Sequence, residues 1–252
     1  MAFQDHFSSG AKEYSAYRPR YGPDLYRYLA TIAPENSLAW DCGTGNGQAA
    51  VGLAEHFERV CATDPSQQQI QTAPVQAGVE YRVAEAEVPW LADASVDLVT
   101  AAQAAHWFDL NAFYREVRRV LRPGGAIALW CYRLVSVSPE VDAVVQHYHA
   151  QVVGPYWPPE RALVDAGYST LEFPFEELQT PGFHIEVQWD LSQLAGYLGT
   201  WSAAGRYRDA KGCEPLDEVF DDLAAAWGEE KEKRTVRWPL SLRVGRLPGA
   251  AG

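Results

Sequence analysis

Short apolar runs that favour β-strands alternate with amphipathic segments that favour helices between residues 23 and 132. The helical segments carry apolar residues at spacings of three and four, and the first begins at a proline, which a first helical turn tolerates. In chain order, the strand-like runs are LAWDC, RVCATD, VEYRV, VDLVTAA and AIALWCY. Strands that alternate with helices are joined by right-handed crossovers and lie parallel. The sequence therefore predicts an α/β fold with a mostly parallel sheet and helices on both faces.

The pattern changes after residue 138. Helices are predicted at residues 140–151 and 160–167, and strand-like runs follow in LEFPFEEL and HIEVQWD. The segments LSQLAGYLGTWSA and LDEVFDDLAAAW again favour helices, and a last β run, TVRWPLSLRVGR, comes near the end. We therefore predict one domain over residues 1–252. Its core comprises residues 23–138 and 233–247, and an α+β region is inserted at residues 139–232.

A glycine-rich loop, WDCGTGNGQ, follows the first predicted strand. Gly43 and Gly45 match the start of the dinucleotide fingerprint G-x-G-x-x-G, but Gln48 occupies its third glycine position and Gly47 comes one residue early. A phosphate-binding P-loop is excluded because no G-K-[ST] follows. Asp41 lies at the tip of the strand, where its carboxylate would repel a pyrophosphate but tolerate a ligand with an ammonium and a sulfonium group.

A second acidic residue, Asp64, ends the second predicted strand. It follows Asp41 by 23 residues, and an acid at this distance can accept hydrogen bonds from both hydroxyls of an adenosine ribose. The segment Asp64-Pro65-Ser66 could instead cap the next helix, or cap it and bind the ribose as well. The two acidic residues together favour a ligand that contains adenosine but no pyrophosphate. Such a ligand is S-adenosylmethionine.

The motifs WDCGTGNGQ, ATDPSQQQI, RVAEAEVPW, DLVTAAQAAHWFD and VLRPGGAIALW follow one another in the order seen in class I S-adenosylmethionine-dependent methyltransferases. The sequence resembles the methyltransferase type 11 group of that superfamily. YSAYRPRYGPDLY and QAAHWFD are similar to the trans-aconitate methyltransferase-like subgroup, although Gly22 stands where proline is common. The resemblance implies a Rossmann-like sheet of seven strands, with the last β run antiparallel near one edge.

The resemblance also implies a set of binding residues. Asp41, Gly43 and Gly45 would surround the methionine moiety, and Asp64 would bind the ribose. Glu85 and Ala86 would flank the adenine, although Glu85 could equally be a solvated loop charge. Gln103 would lie near the methyl group. The resemblance further implies that residues 1–22 form an N-terminal lid over the cofactor, with Tyr14, Tyr17 and Arg18 as binding residues.

The acceptor side of the reaction is less defined. His106 follows the fourth strand, at the edge where open α/β sheets bind ligands, and it could orient or deprotonate an acceptor, or only hydrogen-bond loop backbone. A carboxylate acceptor would need no base, because its reference pKa is near 4. Three tryptophans of the inserted region could line an acceptor pocket or form a local core: Trp157, Trp189 and Trp201.

Composition limits the partners. The formal net charge of −12 disfavours nucleic acid, the four cysteines form no C-x-x-C pair, and we expect neither a metal site nor a membrane-inserted segment. We predict a cytoplasmic methyltransferase (EC 2.1.1), monomeric or weakly dimeric, that methylates a small molecule, with a carboxylate oxygen as acceptor, and releases S-adenosylhomocysteine. The alternatives are a non-catalytic S-adenosylmethionine-binding sensor or partner subunit, and an oxidoreductase on the same sheet.

Overall fold

The computed structural model of the chain describes residues 19–87 and 90–247, and eight strands of this part form one mixed sheet. The strands are β1 (Leu38–Cys42), β2 (Arg59–Asp64), β3 (Val79–Val83), β4 (Val96–Ala102), β5 (Leu121–Tyr132), β6 (Glu176–Leu178), β7 (His184–Trp189) and β8 (Arg234–Arg246). Their order along the sheet is β3-β2-β1-β4-β5-β8-β6, and β7 pairs with β8 off this path.

The first five strands lie parallel, whereas β8 runs antiparallel to β5 and β6. The predicted parallel core and the antiparallel insertion of the last β run are therefore confirmed. The described sheet has eight strands rather than the predicted seven. The reason is the 13-residue length of β8, whose first half pairs with β7 and whose second half pairs with β5.

Nine α-helices connect the described strands. They are α1 (Pro23–Ile32), α2 (Gln48–Leu53), α3 (Gln67–Thr72), α4 (Leu110–Val120), α5 (Pro139–His147), α6 (Arg161–Asp165), α7 (Leu191–Gly199), α8 (Ser202–Lys211) and α9 (Phe220–Trp227). A π-helical turn, Tyr148–Val152, extends α5, and a 3-10 turn, Ala105–Trp107, follows β4.

The helix after the glycine loop ends at Leu53 and continues as a tight turn to Phe57, whose side chain is buried. Helix ends differ from the prediction at two places. The helix predicted at residues 140–151 changes to π geometry after His147. The helix predicted over LSQLAGYLGTWSA is two helices, because Trp201 has an extended backbone (φ −65°, ψ 138°) and packs its side chain into the core between them.

Helices cover both faces of the sheet, as predicted. On one face, Trp40, Val99 and Ile127 pack with Phe113 of α4. On the other face, neighbouring positions on the same strands, among them Ala39 and Leu98, pack against α1 and α2. This alternation follows from the period of two along a strand. Helices therefore exclude water from both faces of the sheet. A binding site can form instead at the loops that follow the carboxyl ends of β1, β2 and β4.

A third core lies where α5 and α7 to α9 pack against β7 and β8. Trp189 belongs to this core, with its ring 5.0 Å from the ring of Trp238 in an edge contact. The described cysteines form no disulfide, and none of the described helices is long and apolar enough to cross a membrane.

Candidate active site

The glycine loop packs directly against the segment that follows β4. Gly43 has φ +67°, and a Cβ atom placed on it would lie 2.5 Å from Cβ of Ala104 and 3.0 Å from the ring of Phe108. Real side chains do not approach this closely, so both the backbone conformation and the packing require glycine here. The contact brings the loop after β1 next to the residues that flank Gln103 and His106.

Asp41 is completely buried at the base of this loop. Its Oδ2 atom accepts a hydrogen bond from the Thr44 hydroxyl at 2.5 Å, and its Oδ1 atom accepts one from the Thr100 hydroxyl at 2.8 Å. Burial raises the pKa of Asp41 to about 6, and the two threonine hydroxyls oppose this shift. The carboxylate therefore fixes the loop, and it places a buried negative charge at the tip of β1.

The raised pKa of Asp41 predicts a pH-dependent loss of stability. Between the unfolded value near 3.8 and the folded value near 6, the folded chain binds more protons than the unfolded chain, so the free energy of unfolding falls as pH rises through this window. The loss is at most about 3 kcal/mol, at 1.36 kcal/mol per pKa unit. Asp41→Asn carries no titrating group and should lack this part of the pH dependence.

Urea unfolding at pH 4 and pH 7 tests this prediction. Other carboxylates titrate in both proteins, so the informative quantity is the difference between wild type and Asp41→Asn at each pH. Asp24→Asn is the control, because the Asp24 side chain is 73% exposed. Identical pH dependence of the wild type and Asp41→Asn would show that Asp41 keeps an ordinary pKa in the fold.

Asp64 connects the tip of β2 to the glycine loop. Its Oδ2 atom accepts a hydrogen bond from the backbone N–H of Gly45, and its Oδ1 atom accepts one from the N–H of Ser66, both at 2.8 Å. Ser66 in turn caps α3 by accepting from the N–H of Gln69. Asp64 thus organises the turn before α3, although the cap of that helix is Ser66. Its contact with a ribose remains a prediction.

The other implied cofactor residues occupy varied environments. Glu85 is exposed in the loop after β3, whereas Ala86 is 5% exposed and belongs to the core. The next residue, Glu87, accepts a hydrogen bond from the backbone N–H of Asp109 at the start of α4. Contacts of Glu85 and Ala86 with an adenine remain predictions. Tyr14, Tyr17 and Arg18 lie outside the described residues.

Gln103 directly follows β4 in a strained backbone conformation. It has φ +55°, which is uncommon for a residue other than glycine, and its N–H donates to the Trp130 carbonyl at 2.8 Å. Its Nε2 atom donates to the Tyr132 carbonyl at 3.4 Å. The Oε1 atom is buried and has no hydrogen-bond partner among the described residues. Strained residues with unsatisfied polar atoms are typical of functional sites.

His106 lies on the 3-10 turn after Gln103 and is hydrogen-bonded to a residue that the sequence patterns did not indicate. Its Nδ1 atom is 2.8 Å from the hydroxyl of Tyr168, which is fully buried beyond the end of α6. Burial, together with the nearby Arg161 guanidinium, lowers the pKa of His106 to about 3. The imidazole is therefore neutral at physiological pH. The only sequence signal near Tyr168 is Gly167, which marks a helix end.

A cavity of about 70 Å³ opens beside Gln103 and His106. We call it the acceptor cavity. Its described lining contains two arginines and no acidic residue, in a chain with a net charge of −12. The lining residues are Gln103, His106, Trp107, Tyr132, Arg133, Leu134, Trp157, Pro158, Arg161, Val164, Tyr197, Trp201 and Ser202. Two of the three tryptophans considered from the sequence, Trp157 and Trp201, therefore line this cavity, and the sequence interpretation missed both arginines.

The two arginines differ in their partners. The Arg161 guanidinium lies 4.4 Å above the ring of Trp157 and bonds the Asp165 carboxylate at 2.8 Å. Arg133 is exposed just after β5 and forms no ion pair with a described carboxylate. The lining of the acceptor cavity thus combines aromatic rings with the guanidinium of Arg133, which no described carboxylate pairs.

Comparison with known proteins identifies the family. A family model described as a methyltransferase domain matches residues 40–129. A Dictyostelium discoideum protein named as a methyltransferase is 37% identical over 229 residues, which cover 89% of this chain and 87% of that protein. The chain belongs to the class I S-adenosylmethionine-dependent methyltransferases. A solved structure from Anaeromyxobacter dehalogenans, described as a type II methyltransferase, is 49% identical, covers 92% of this chain and 99% of its own, and has a TM-score of 0.87.

The methyltransferase is therefore an enzyme of class EC 2.1.1 with S-adenosylmethionine as cofactor. The oxidoreductase and the non-catalytic alternatives are set aside. The residues at the strand tips are compatible with this cofactor: the loop at Gly43 has no room for a side chain, and Asp41 and Asp64 place carboxylates where a pyrophosphate would be repelled. Contacts of Asp41, Gly43 and Gly45 with the methionine moiety remain predictions. S-adenosylmethionine supplies an electrophilic methyl carbon when bound, and Gln103 and His106, which follow β4 at this edge of the sheet, line the acceptor cavity.

Proposed function

We propose that this methyltransferase transfers the methyl group to a carboxylate oxygen of a small organic acid bound in the acceptor cavity. The observation that carries the proposal is the charge of that cavity, whose described lining has Arg133 and Arg161 but no acidic residue. Guanidinium groups bind carboxylates through short, charge-assisted hydrogen bonds. Arg133 is available for this role because it forms no ion pair with a described carboxylate.

The proton balance of the reaction supports the same acceptor. A carboxylic acid is ionised at neutral pH, so its oxygen can form the bond to the methyl carbon without losing a proton. The carbon–sulfur bond breaks and its electron pair remains on sulfur. A hydroxyl or ammonium acceptor would need a base, and a His106 with a pKa of about 3 is a poor one near neutral pH. Alignment of the acid with the methyl carbon then supplies much of the rate.

The size and wall of the cavity indicate the rest of the acceptor. About 70 Å³ corresponds to roughly two water molecules at about 30 Å³ each, which favours a small acid. Trp157 and Trp201 lie with ring centroids 5.5 Å apart along one wall, and such rings favour a flat, unsaturated or aromatic body. The resemblance to trans-aconitate methyltransferase-like proteins is consistent with an unsaturated acid.

The chemistry of the product tests the proposal. We expect the enzyme, given methyl-labelled S-adenosylmethionine and a panel of aromatic and unsaturated acids, to form a product that releases labelled methanol on alkaline hydrolysis. The matched alcohols and amines of the same acids should remain unlabelled. Label found in an alkali-stable ether or amine would contradict carboxylate methylation.

Substitution of the free guanidinium tests how the acid is recognised. Arg133→Met should raise KM for the acid by about tenfold to a hundredfold, because a hydrogen bond to a charged group contributes about 1.5–3 kcal/mol. Arg237→Met is the matched control, since Arg237 is an exposed arginine on β8 that pairs with Glu186. Equal KM values for the two variants would remove Arg133 from the acceptor site.

A further inference from the structure

Tyr168 reaches His106 from a part of the chain 62 residues away, and its hydroxyl lies 2.8 Å from Nδ1 of the imidazole. Among the described residues, Nδ1 of His106 is the one hydrogen-bond partner of this hydroxyl. A buried hydroxyl proton without an acceptor is costly, so Tyr168 donates its proton to Nδ1. Burial raises the pKa of Tyr168 well above its usual value, so the hydroxyl keeps that proton.

We infer that Tyr168 is a positioning residue that holds the neutral imidazole of His106 in the tautomer with the proton on Nε2, so that Nε2–H donates a hydrogen bond to the acceptor acid. Because a neutral imidazole has one donor and one acceptor nitrogen, occupation of Nδ1 by the Tyr168 proton fixes the donor at Nε2. The donor would bind one carboxylate oxygen of the acid, and the other oxygen would remain for the methyl carbon. The last step of this inference, the hydrogen bond from Nε2–H to the acid, rests on the proposed function.

The backbone supports a functional role for this contact. Three described residues other than glycine have positive φ angles, and two of them, Gln103 (+55°) and Tyr168 (+59°), lie at His106. A buried aromatic residue in the left-handed region is strained, and such strain persists where the surroundings fix it. Here the N–H of Tyr168 donates to the Leu163 carbonyl at 2.9 Å. The preceding Gly167 packs so closely on Ser241 that a Cβ atom would lie 2.5 Å from its Oγ.

The charged groups around His106 keep the imidazole neutral. Arg161 of α6 and Arg133 after β5 line the same cavity as His106, and neither favours a second positive charge. The carboxylate of Asp165, also on α6, is bonded to Arg161, and its other near neighbour is His149 at 3.7 Å. No described carboxylate forms an ion pair with His106. His106 therefore offers the acid a donor whose state does not change across the physiological pH range.

Nitrogen-15 NMR of histidine-labelled enzyme without substrate tests the tautomer directly. We expect the His106 signals, assigned by their loss in His106→Gln, to show a protonated Nε2 and an unprotonated Nδ1, with no titration between pH 5.5 and 8.5. A proton on Nδ1, or a titration near the usual value of about 6.5, would overturn the inference. The result does not depend on an acceptor, so a failure to form a methyl ester would count against the proposed function alone.

Activity measurements test the consequence for the acid. In Tyr168→Phe the imidazole loses the partner that fixes its tautomer, so kcat/KM for the acid should fall about tenfold or more. The nitrogen-15 signals of His106 in this variant should show a mixture of the two neutral tautomers, because burial and Arg161 still keep the pKa of the imidazole low. Tyr148→Phe is the control, because the Tyr148 hydroxyl is also buried but has no hydrogen-bond partner among the described residues.

The variant His106→Gln tests whether the acid needs a hydrogen-bond donor at this position or the imidazole ring itself. The glutamine amide can present an N–H near the position of Nε2, so this variant should retain more activity than His106→Ala at every pH. An unchanged His106 tautomer and an unchanged kcat/KM in Tyr168→Phe would reduce Tyr168 to a packing residue. Equal activities for the two His106 variants would show that the acid needs no hydrogen-bond donor at residue 106. If Tyr168→Phe does not fold, the wild-type tautomer and the two His106 variants decide the question.

Discussion

Asp64→Ala is expected to weaken the binding of S-adenosylmethionine by about tenfold to a thousandfold. Hydrogen bonds from a ribose to a charged carboxylate contribute about 1.5–3 kcal/mol each, and water replaces them only in part. The structure adds a second cost, because the same carboxylate accepts from the backbone N–H groups of Gly45 and Ser66. The alanine variant leaves both donors without this partner and loosens the glycine loop. Both effects lower the affinity.

Two further variants separate the ribose contact from the loop contact. Asp64→Asn keeps a side-chain oxygen that can accept from one backbone N–H but removes the charge. Ser66→Ala removes only the cap of α3, where the hydroxyl accepts from the N–H of Gln69, at a cost to the fold of about 1 kcal/mol. Calorimetry with S-adenosylmethionine should show a large loss for both Asp64 variants and a small one for Ser66→Ala. An unchanged dissociation constant in Asp64→Ala would contradict the ribose assignment.

The sequence predicted the core strands well because their pattern is simple. The bounds of β2, β3 and β4 agree with the runs RVCATD, VEYRV and VDLVTAA. β5 begins five residues before the predicted run AIALWCY, because Leu121 pairs with Val96 before the intervening residues bulge out of register. A pairing of this kind depends on the neighbouring strand, and a local pattern does not contain it.

The break between α7 and α8 shows a different limit. Helical spacing continues through four buried residues across this break: Leu194, Tyr197, Leu198 and Trp201. The spacing is satisfied whether Trp201 extends the helix or packs from an extended residue after it. Periodicity reports which side chains are buried, but not whether the backbone between them is continuous.

The two sides of the candidate active site were predictable to different degrees. The carboxyl ends of parallel strands meet at one edge of a sheet, so the loop with Gly43 and Gly45 had to approach Asp64 once the strands were known. Arg161 and Tyr168 approach His106 through the packing of α6 and the turn after it, and Arg133 enters the lining of the acceptor cavity from the end of β5. Their approach depends on tertiary packing, which no spacing in the sequence encodes.

Gly43→Ala is expected to impair S-adenosylmethionine binding by about thirtyfold or more. A residue with a Cβ atom at φ +67° costs about 1–2 kcal/mol in the left-handed region. The new methyl group would also lie 2.5 Å from Cβ of Ala104, and overpacking of this kind costs about 1–3 kcal/mol. The loop can relieve the contact only by moving away from the segment that carries Gln103 and His106. The edge of the sheet at which the cofactor is expected to bind would then change shape.

Gly212→Ala provides the control for the backbone cost. Gly212 has φ +72° at the end of α8, and a Cβ atom there would meet no heavy atom within 4 Å. Both variants carry the cost of a Cβ atom at positive φ. A further loss of about 1–3 kcal/mol in the unfolding free energy of Gly43→Ala, relative to Gly212→Ala, therefore measures the contact with Ala104. Gly212→Ala should bind S-adenosylmethionine as the wild type does.

The double variant Gly43→Ala with Ala104→Gly removes the opposing methyl group. Residues in direct contact give coupling energies of about 0.5–3 kcal/mol, so this variant should recover part of both the stability and the affinity lost in Gly43→Ala. Recovery of stability without affinity would show that the loop conformation itself, rather than its distance from Ala104, determines cofactor binding. Wild-type affinity in Gly43→Ala would show that the cofactor does not depend on the approach of this loop to the residues after β4.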